Sequence, residues 1–393
     1  MNIAIIGAGI GGLTAGALLA RSGHQVTVFD QFDAPLPVGS GLVIQPVGQA
    51  VLAEIGALVP ARHHGRPIWR MDGREINSGR QVLKVDYGDH GGPRFGLAIQ
   101  RPALFDCLYQ AAMAAGVTVQ TSARITGAGS GILTLADATQ TTRFDLVVDS
   151  SGASSTLSGL KSKPLPFGAL WGTVPWPEAG FDAGELRQRY RRADRMIGIM
   201  PSGTRPGDAT ETATIFWSLP RNGHDDWTSS GLAAWHDEIA GLWPEALPVF
   251  QQITDPAQMT FAHYSHGTLR RTTGDRLAVI GDAAHRASPQ LGQGANMAML
   301  DAFALGEALK RGPVPEALNH FARARRWHVR IYQAMSYAFT PQYQSHSRAL
   351  PVLRDRLLFP VSMVPPIPSV LTRLVSGDFV PPLASLTPPD FGA

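Results

Sequence analysis

The chain has 393 residues, 44% hydrophobic and 17% charged, with 42 Gly and 30 Pro; that size suits one large or two joined domains, and the composition excludes a disordered chain. The net charge is only +3 despite a pI of 9.2, and the basic residues are scattered arginines, so nucleic-acid binding is not expected. A single cysteine, Cys107, excludes an intrachain disulfide and a thiolate-rich metal site, and fits a reducing, cytoplasmic setting.

Residues 2–6 are a short apolar run ending at glycine, 13–21 are rich in Ala and Leu, and 25–29 form a second β-branched run, which together predict β-turn-α-turn-β. Gly23 stands where a helix end needs positive φ. Residues 82–99 read as extended pairs broken at Gly88 and Gly91-Gly92-Pro93, and 102–115 as a helix opened by Pro102, with Cys107 a small core residue. Strands are expected at 117–120, 132–136 and 144–148. Between about 165 and 265, Trp171, Trp176, Trp217, Trp227, Trp235 and Trp243 fall among strand-like runs, predicting a mostly antiparallel sheet with an aromatic lining. A buried strand follows at 276–280, then helices at 293–310 and from 315 to about 338. The proline-rich tail beyond about 341 reads as irregular. No apolar run of about 18 or more residues escapes Pro and Gly, so no membrane span is expected.

Two segments carry chemistry. Gly7-Ala8-Gly9-Ile10-Gly11-Gly12 follows a strand and opens a helix. Gly7, Gly9 and Gly12 satisfy the spacing that allows a tight turn, close approach to a pyrophosphate and helix-on-strand packing. Asp30, eighteen residues past Gly12 at the end of the second strand, can accept hydrogen bonds from ribose hydroxyls, and Gln31 beside it joins the cofactor-binding set. This pair predicts a dinucleotide and leaves FAD against NAD open. The second segment runs from Gly281 to Asn296 as GDAAHRASPQLGQGAN. A carboxylate at a strand end, Asp282, can hold polyol hydroxyls, and a Gly-Gln-Gly loop before a helix lets backbone amides approach a flat ring.

Extended to residue 302, this string resembles the FAD-dependent aromatic hydroxylases, the class A flavin monooxygenases similar to para-hydroxybenzoate hydroxylase. The likeness spans about residues 1–335. It implies that Asp282 binds the ribityl chain, that Pro289, Gly292, Gln293 and Gly294 lie beside the isoalloxazine as the catalytic environment, and that Ala295 and Asn296 help seat it. Gly11 belongs with the other glycines of the first turn. Arg101 matches the family's FAD-reaching arginine at a helix start, and residues 39–46 match its loop and strand after the ribose carboxylate. The implied fold is α/β: a Rossmann-like, three-layer FAD-binding domain of the GR2 type, discontinuous over 1–80, 98–160 and 270–312. A substrate domain over 81–97 and 161–269 is inserted in it, and 313–393 form a C-terminal helix and tail.

The resemblance implies NADH or NADPH as co-substrate, a flavin C4a-hydroperoxide, and a small aromatic or heteroaromatic substrate hydroxylated with O2, in a monomer or homodimer. The aromatic-rich insert points to a flat, apolar substrate. One position departs from the family: where Asp-Gly follows the strand, this chain has Ser151-Gly152, which touches how NAD(P)H is engaged; Asp149 is a candidate substitute, and ordinary drift at a turn is the preferred reading. Twelve histidines form no metal-ligand pattern; His263, Tyr264 and His266 are candidate acid–base groups but read first as packing. Two other readings remain: a flavin oxidoreductase that moves hydride without inserting oxygen, and a flavin-binding protein without turnover.

Overall fold

The computed structural model describes all residues except 35–39, 91–93, 179, 385 and 389–393, so Gly39 and the Gly91-Gly92-Pro93 break lie outside the described residues. The β-branched run Asn2–Ile6 forms the middle of a six-stranded sheet. Its neighbours are Gln25–Phe29 and then Thr118–Gln120 on one side, and Leu146–Asp149, Leu277–Val279 and Thr273–Gly274 on the other. All pairs are parallel except the last. Parallel strands need crossovers, and these put helices Ile10–Arg21, Arg101–Ala114 and Gly294–Leu309 against one face. The opposite face is covered by the hairpin Ile125–Gly129 with Ile132–Leu135, through Ile6, Phe29, Leu133 and Phe144. The result is the expected three layers. Cys107 is buried in the helical layer, where desolvation raises its thiol to about 11.

An eight-stranded sheet stands beside it, ordered His285–Arg286, Thr260–Thr268, Lys163–Pro175, Asp208–Pro220, Arg195–Arg205, Glu185–Arg191, Arg70–Glu75 and Gln81–Asp86. It is antiparallel but for one parallel pair, Glu185–Arg191 with Arg70–Glu75. That pair draws Arg70–Glu75 out of the segment assigned to the cofactor domain, because the hydrogen bonds of that strand go to Glu185–Arg191 and Gln81–Asp86.

Two further expectations change. Helix His224–Leu242 interrupts the region read as sheet, and it buries Trp227, Trp235 and Trp243 against Trp217 of the sheet. Those tryptophans are therefore core, not the lining of a substrate pocket, since their large apolar rings join two layers. The tail is not irregular either. Helices Ala349–Leu353, Phe359–Ser362 and Ile367–Ser376 follow the long helix Val314–Tyr343, and Pro360 and Pro368 sit in first turns, where proline's missing N–H costs nothing.

Candidate active site

The glycine turn is dictated by contact distances. Gly7 has φ +98°, and a Cβ there would lie 2.8 Å from the Ser150 carbonyl oxygen; one at Gly12 would lie 1.9 Å from the Gly7 carbonyl oxygen. Neither position accepts a side chain. Gly9 has open space where a Cβ would be, so a ligand can reach the backbone there. The helix that follows carries no acidic residue in its first turn, leaving the positive end of its dipole for an anion. Asp30 Oδ2 accepts the Ala8 N–H at 2.7 Å and Oδ1 accepts that of Phe32 at 3.0 Å, which fixes the carboxylate at the turn with lone pairs to spare.

These residues line a cleft of about 320 Å³ that also contains Gln31, Arg101, Arg124 and Ser151. A larger open depression of about 430 Å³ lies on the big sheet among Arg70, Asp72, Arg74, Glu185, Arg187 and Arg189. Ion pairs of those arginines with Asp72, Glu185 and Asp182 account for it as a charged surface.

Ser151 and Asp149 have a plain structural role. Asp149, fully buried, accepts the Ser151 N–H and hydroxyl on Oδ1 and the Ser155 hydroxyl, at 2.6 Å, on Oδ2. Ser150 Oγ donates to the carbonyl of Ile6 at 2.8 Å. The serine turn thus clamps the glycine turn, and Asp149, the candidate substitute, spends both oxygens inside it, which suits the preferred reading of ordinary drift at a turn.

Arg101 begins its helix just after Gln100, whose amide donates to Thr212 Oγ1 at 3.0 Å and accepts from Thr173 Oγ1 at 3.3 Å. The large sheet therefore aims a residue of the cofactor domain. Arg101 and Asp282 are both exposed, yet protein atoms surround much of each side chain. Desolvation lowers the Arg101 pKa, opposed by Asp282 and Tyr264. Desolvation raises that of Asp282, opposed by His285, Arg101 and Arg286. Two opposite charges thus share the site, and among the described residues no hydrogen bond reaches the Asp282 carboxylate.

The second segment is held from outside itself. Gly292 has φ +61°, the left-handed region that favours glycine. Asn296, fully buried, accepts the Gln45 N–H at 2.9 Å and donates to the carbonyls of Val43 at 3.3 Å and Gly292 at 2.9 Å. All its polar capacity goes to backbone, so it positions the loop. The Gln293 side chain turns away to donate to the Val375 carbonyl in the tail. Pro289 and Gly294 are exposed, with nothing within 4 Å of a Cβ at Gly294. Among the described residues no side-chain cap bond closes helix Gly294–Leu309 at its N-cap Gln293, which leaves its first amides as donors.

Several site residues carry no assignment in the sequence reading. Gln45 is fully buried; its Oε1 accepts the Tyr87 hydroxyl at 2.6 Å, while Nε2 finds no acceptor among the described residues and stands 3.4 Å from where a Gly292 Cβ would be. Asp301 accepts the Gly281 N–H at 2.9 Å, His285 Nε2–H at 2.6 Å and Arg325 Nε–H at 2.7 Å. Burial alone would raise its carboxyl, but His285 and Arg325 outweigh that and hold it well below the usual range. An acid inside the apolar run of residues 297–305 is the signal that could have found it. His263 is exposed; His266 is buried with Nε2 3.2 Å from Ser336 Oγ, and the Tyr264 hydroxyl accepts the Trp171 Nε1–H at 2.7 Å.

The arrangement fits a flavin dinucleotide. Open backbone at Gly9 and Gly294, a carboxylate and a guanidinium in electrostatic contact, and beside Gly292 a buried amide donor without an acceptor among the described residues are what an extended, polar-edged cofactor would complete.

Comparison with known proteins agrees. The sequence model of the FAD binding domain family matches residues 1–314. The chain is 28% identical over 403 residues to 6-methylpretetramide 4-monooxygenase of Streptomyces rimosus, covering 96% of this chain and 92% of that one. It is 29% identical to 2-heptyl-3-hydroxy-4(1H)-quinolone synthase of Mycobacteroides abscessus, covering 85% and 88%. Among solved structures, the tetrameric form of 2-methyl-3-hydroxypyridine-5-carboxylic acid oxygenase superposes with a TM-score of 0.78 at 22% identity over 95% of this chain and 96% of that one. Klebsiella pneumoniae HpxO complexed with FAD does so with 0.78 at 21% over 97% and 100%. The chain belongs to the FAD binding domain family, as one of its FAD-dependent monooxygenases of the aromatic hydroxylase type.

Proposed function

We propose that the protein binds FAD with its ADP half in the glycine-turn cleft and its ring against residues 289–296, and hydroxylates an aromatic or heteroaromatic substrate with O2 and NADH or NADPH. The observation that carries this reading is the ring loop: the left-handed Gly292, the uncapped helix start at Gly294 and the free Gln45 Nε2 converge on one space. Bound FAD supplies hydride acceptance from a nicotinamide and, once reduced, activation of O2.

The chain's own residues do the rest. Gly7, Gly9 and the helix start after them hold the pyrophosphate, with Gly11 and Gly12 packing that helix; Asp30 and Gln31 take the adenosine ribose, and Arg101 and Asp282 the phosphate and ribityl stretch. Pro289, Gly292 and Gly294, with the amides of Ala295 and Asn296, shape the ring's surroundings, and Gln293 takes part through its backbone, its side chain serving as a strap to the tail. The parallel sheet serves the cofactor and the large sheet the substrate. Relatives named 3-amino-4-hydroxybenzoate 2-monooxygenase, 6-hydroxynicotinate 3-monooxygenase and 2-heptyl-3-hydroxy-4(1H)-quinolone synthase support an aromatic or heteroaromatic ring as substrate.

The test is to purify the protein with its flavin, add NADH or NADPH without air, and readmit O2 with a panel of phenols, quinolones and pyridines. Bleaching accelerated by one compound and a product gaining one oxygen atom is the expected result. Bleaching without oxygen in any product would replace this reading with hydride transfer alone, and flavin that neither nicotinamide bleaches would point to a protein without this turnover.

A further inference from the structure

We propose that the tail helices dock the protein onto the surface of an anionic phospholipid bilayer. Eight of the fourteen exposed large apolar side chains among the described residues fall between 352 and 370. Val352, Leu357 and Val364 are each more than half exposed, at 54%, 54% and 57%, and Val361 is 45% exposed. Such a concentration within nineteen residues is a patch, not the scattered exposure that any surface shows.

The patch does not belong to a loose segment. On the inner side, Arg354 lies over the rings of Tyr190 and Tyr343 and donates to the carbonyls of Arg192 and Gln342. Thr372 donates to the Asp86 carbonyl, and Leu374 is buried. Anchored within, the same helices present apolar residues outward.

Charge decides what the patch faces. Residues 357–372 contain no charged side chain, and the run is bracketed by exposed Arg356 and Arg373, with exposed Arg348 further back. The one acid between 348 and 373, Asp355, is only 14% exposed and paired with Arg354 at 2.6 Å. An apolar face with cations at its margins matches acyl chains bounded by anionic headgroups. A second copy across a two-fold axis would instead set this cationic margin against itself. Ala349–Ser362 and Ile367–Ser376 meet at 105°, and at about 1.5 Å rise per residue each falls short of a hydrocarbon core about 30 Å thick, so the pair lies on the surface. Ile367–Ser376 also supplies the Val375 carbonyl that Gln293 of the ring loop holds, which puts this face one helix away from the site.

The test is co-sedimentation of the full, flavin-loaded chain with phosphatidylcholine vesicles, with and without phosphatidylglycerol. The wild type is expected to sediment with the mixed vesicles. The triple variant Leu357→Gln, Val361→Gln, Val364→Gln is expected to stay in the supernatant with its flavin absorbance and circular dichroism unchanged, these being solvent-facing positions. Arg356→Gln with Arg373→Gln is expected to weaken partitioning about fivefold per cation. Wild-type protein that sediments with neither vesicle overturns the proposal. So does a triple variant that binds vesicles as before, or a wild-type dimer that ignores vesicles and becomes monomeric in the triple variant, which would assign the patch to a second copy.

Discussion

The glycine turn at 7–12 and the ring loop at 289–296 both deliver glycine-rich backbone to the start of a helix, but they are held in different ways. Contacts to the adjoining strand and its serine turn demand the first: Gly12 presses on Gly7, Gly7 on Ser150, and Asp30 takes the Ala8 amide. The second depends on distant chain: Asn296 reaches Val43 and Gln45, Gln293 reaches Val375, and Asp301 beneath it joins Gly281, His285 and Arg325. The turn at 7–12 is one β-turn-α-β unit braced by a single distant turn at Ser150; the loop at 289–296 is an assembly of four separate segments. Separate substitutions should therefore split the two.

The largest effect is expected at Asp301. Asp301→Ala leaves Arg325 buried without its counter-charge and His285 without its hydrogen-bond partner, at a cost of about 3–5 kcal/mol in denaturant unfolding. A loss under about 1 kcal/mol would remove this triad from the account of the ring end. Gly12→Ala comes next, since its Cβ would meet a backbone oxygen at 1.9 Å. Binding of both FAD and ADP should weaken by about 3 kcal/mol, roughly a hundredfold, and unchanged ADP affinity would place the adenosine elsewhere.

Asn296→Ala sharpens the contrast. It leaves the Gln45 N–H and two carbonyls without their partner, for about 2 kcal/mol. FAD should bind more weakly while ADP affinity, measured by calorimetry, stays put; an equal loss in both would show that the two ends are not independent. The smallest effect at neutral pH concerns His328, whose Nδ1 accepts from Arg325 at 3.1 Å and whose Nε2–H donates to the Gly377 carbonyl at 2.8 Å. Burial and the Arg325 charge push its pKa down to about 3. The folded protein thus refuses a proton that the unfolded chain accepts below its ordinary value of 6.5. This contribution to stability is complete above that pH and declines as pH falls toward 3, by at most about 1.4 kcal/mol per pH unit. His328→Gln can keep both contacts and should flatten the acid limb of a Tm-against-pH curve; an unchanged limb would assign it to other groups.

What could be read without coordinates was whatever depends on neighbours in sequence. The short apolar run into Gly7, the spacing from Gly12 to Asp30 and the long string from Gly281 to Asn296 announce their structures because turn sterics and helix starts are local. Local pattern also misled, for reasons visible in the fold. A tryptophan looks the same in sequence whether it lines a pocket or fills a core, and only packing against helix His224–Leu242 made Trp217, Trp235 and Trp243 core. Prolines that read as breakers in the tail occupy helix first turns. The strand Arg70–Glu75 took its sheet from a partner more than a hundred residues away. Local sequence was enough to announce a glycine turn after a strand and a glycine-rich loop before a helix. Tertiary structure alone decided that Asn296, Asp301, Gln45 and Gln100 hold these two at one site, because a buried polar side chain declares its role only through the partner that satisfies it.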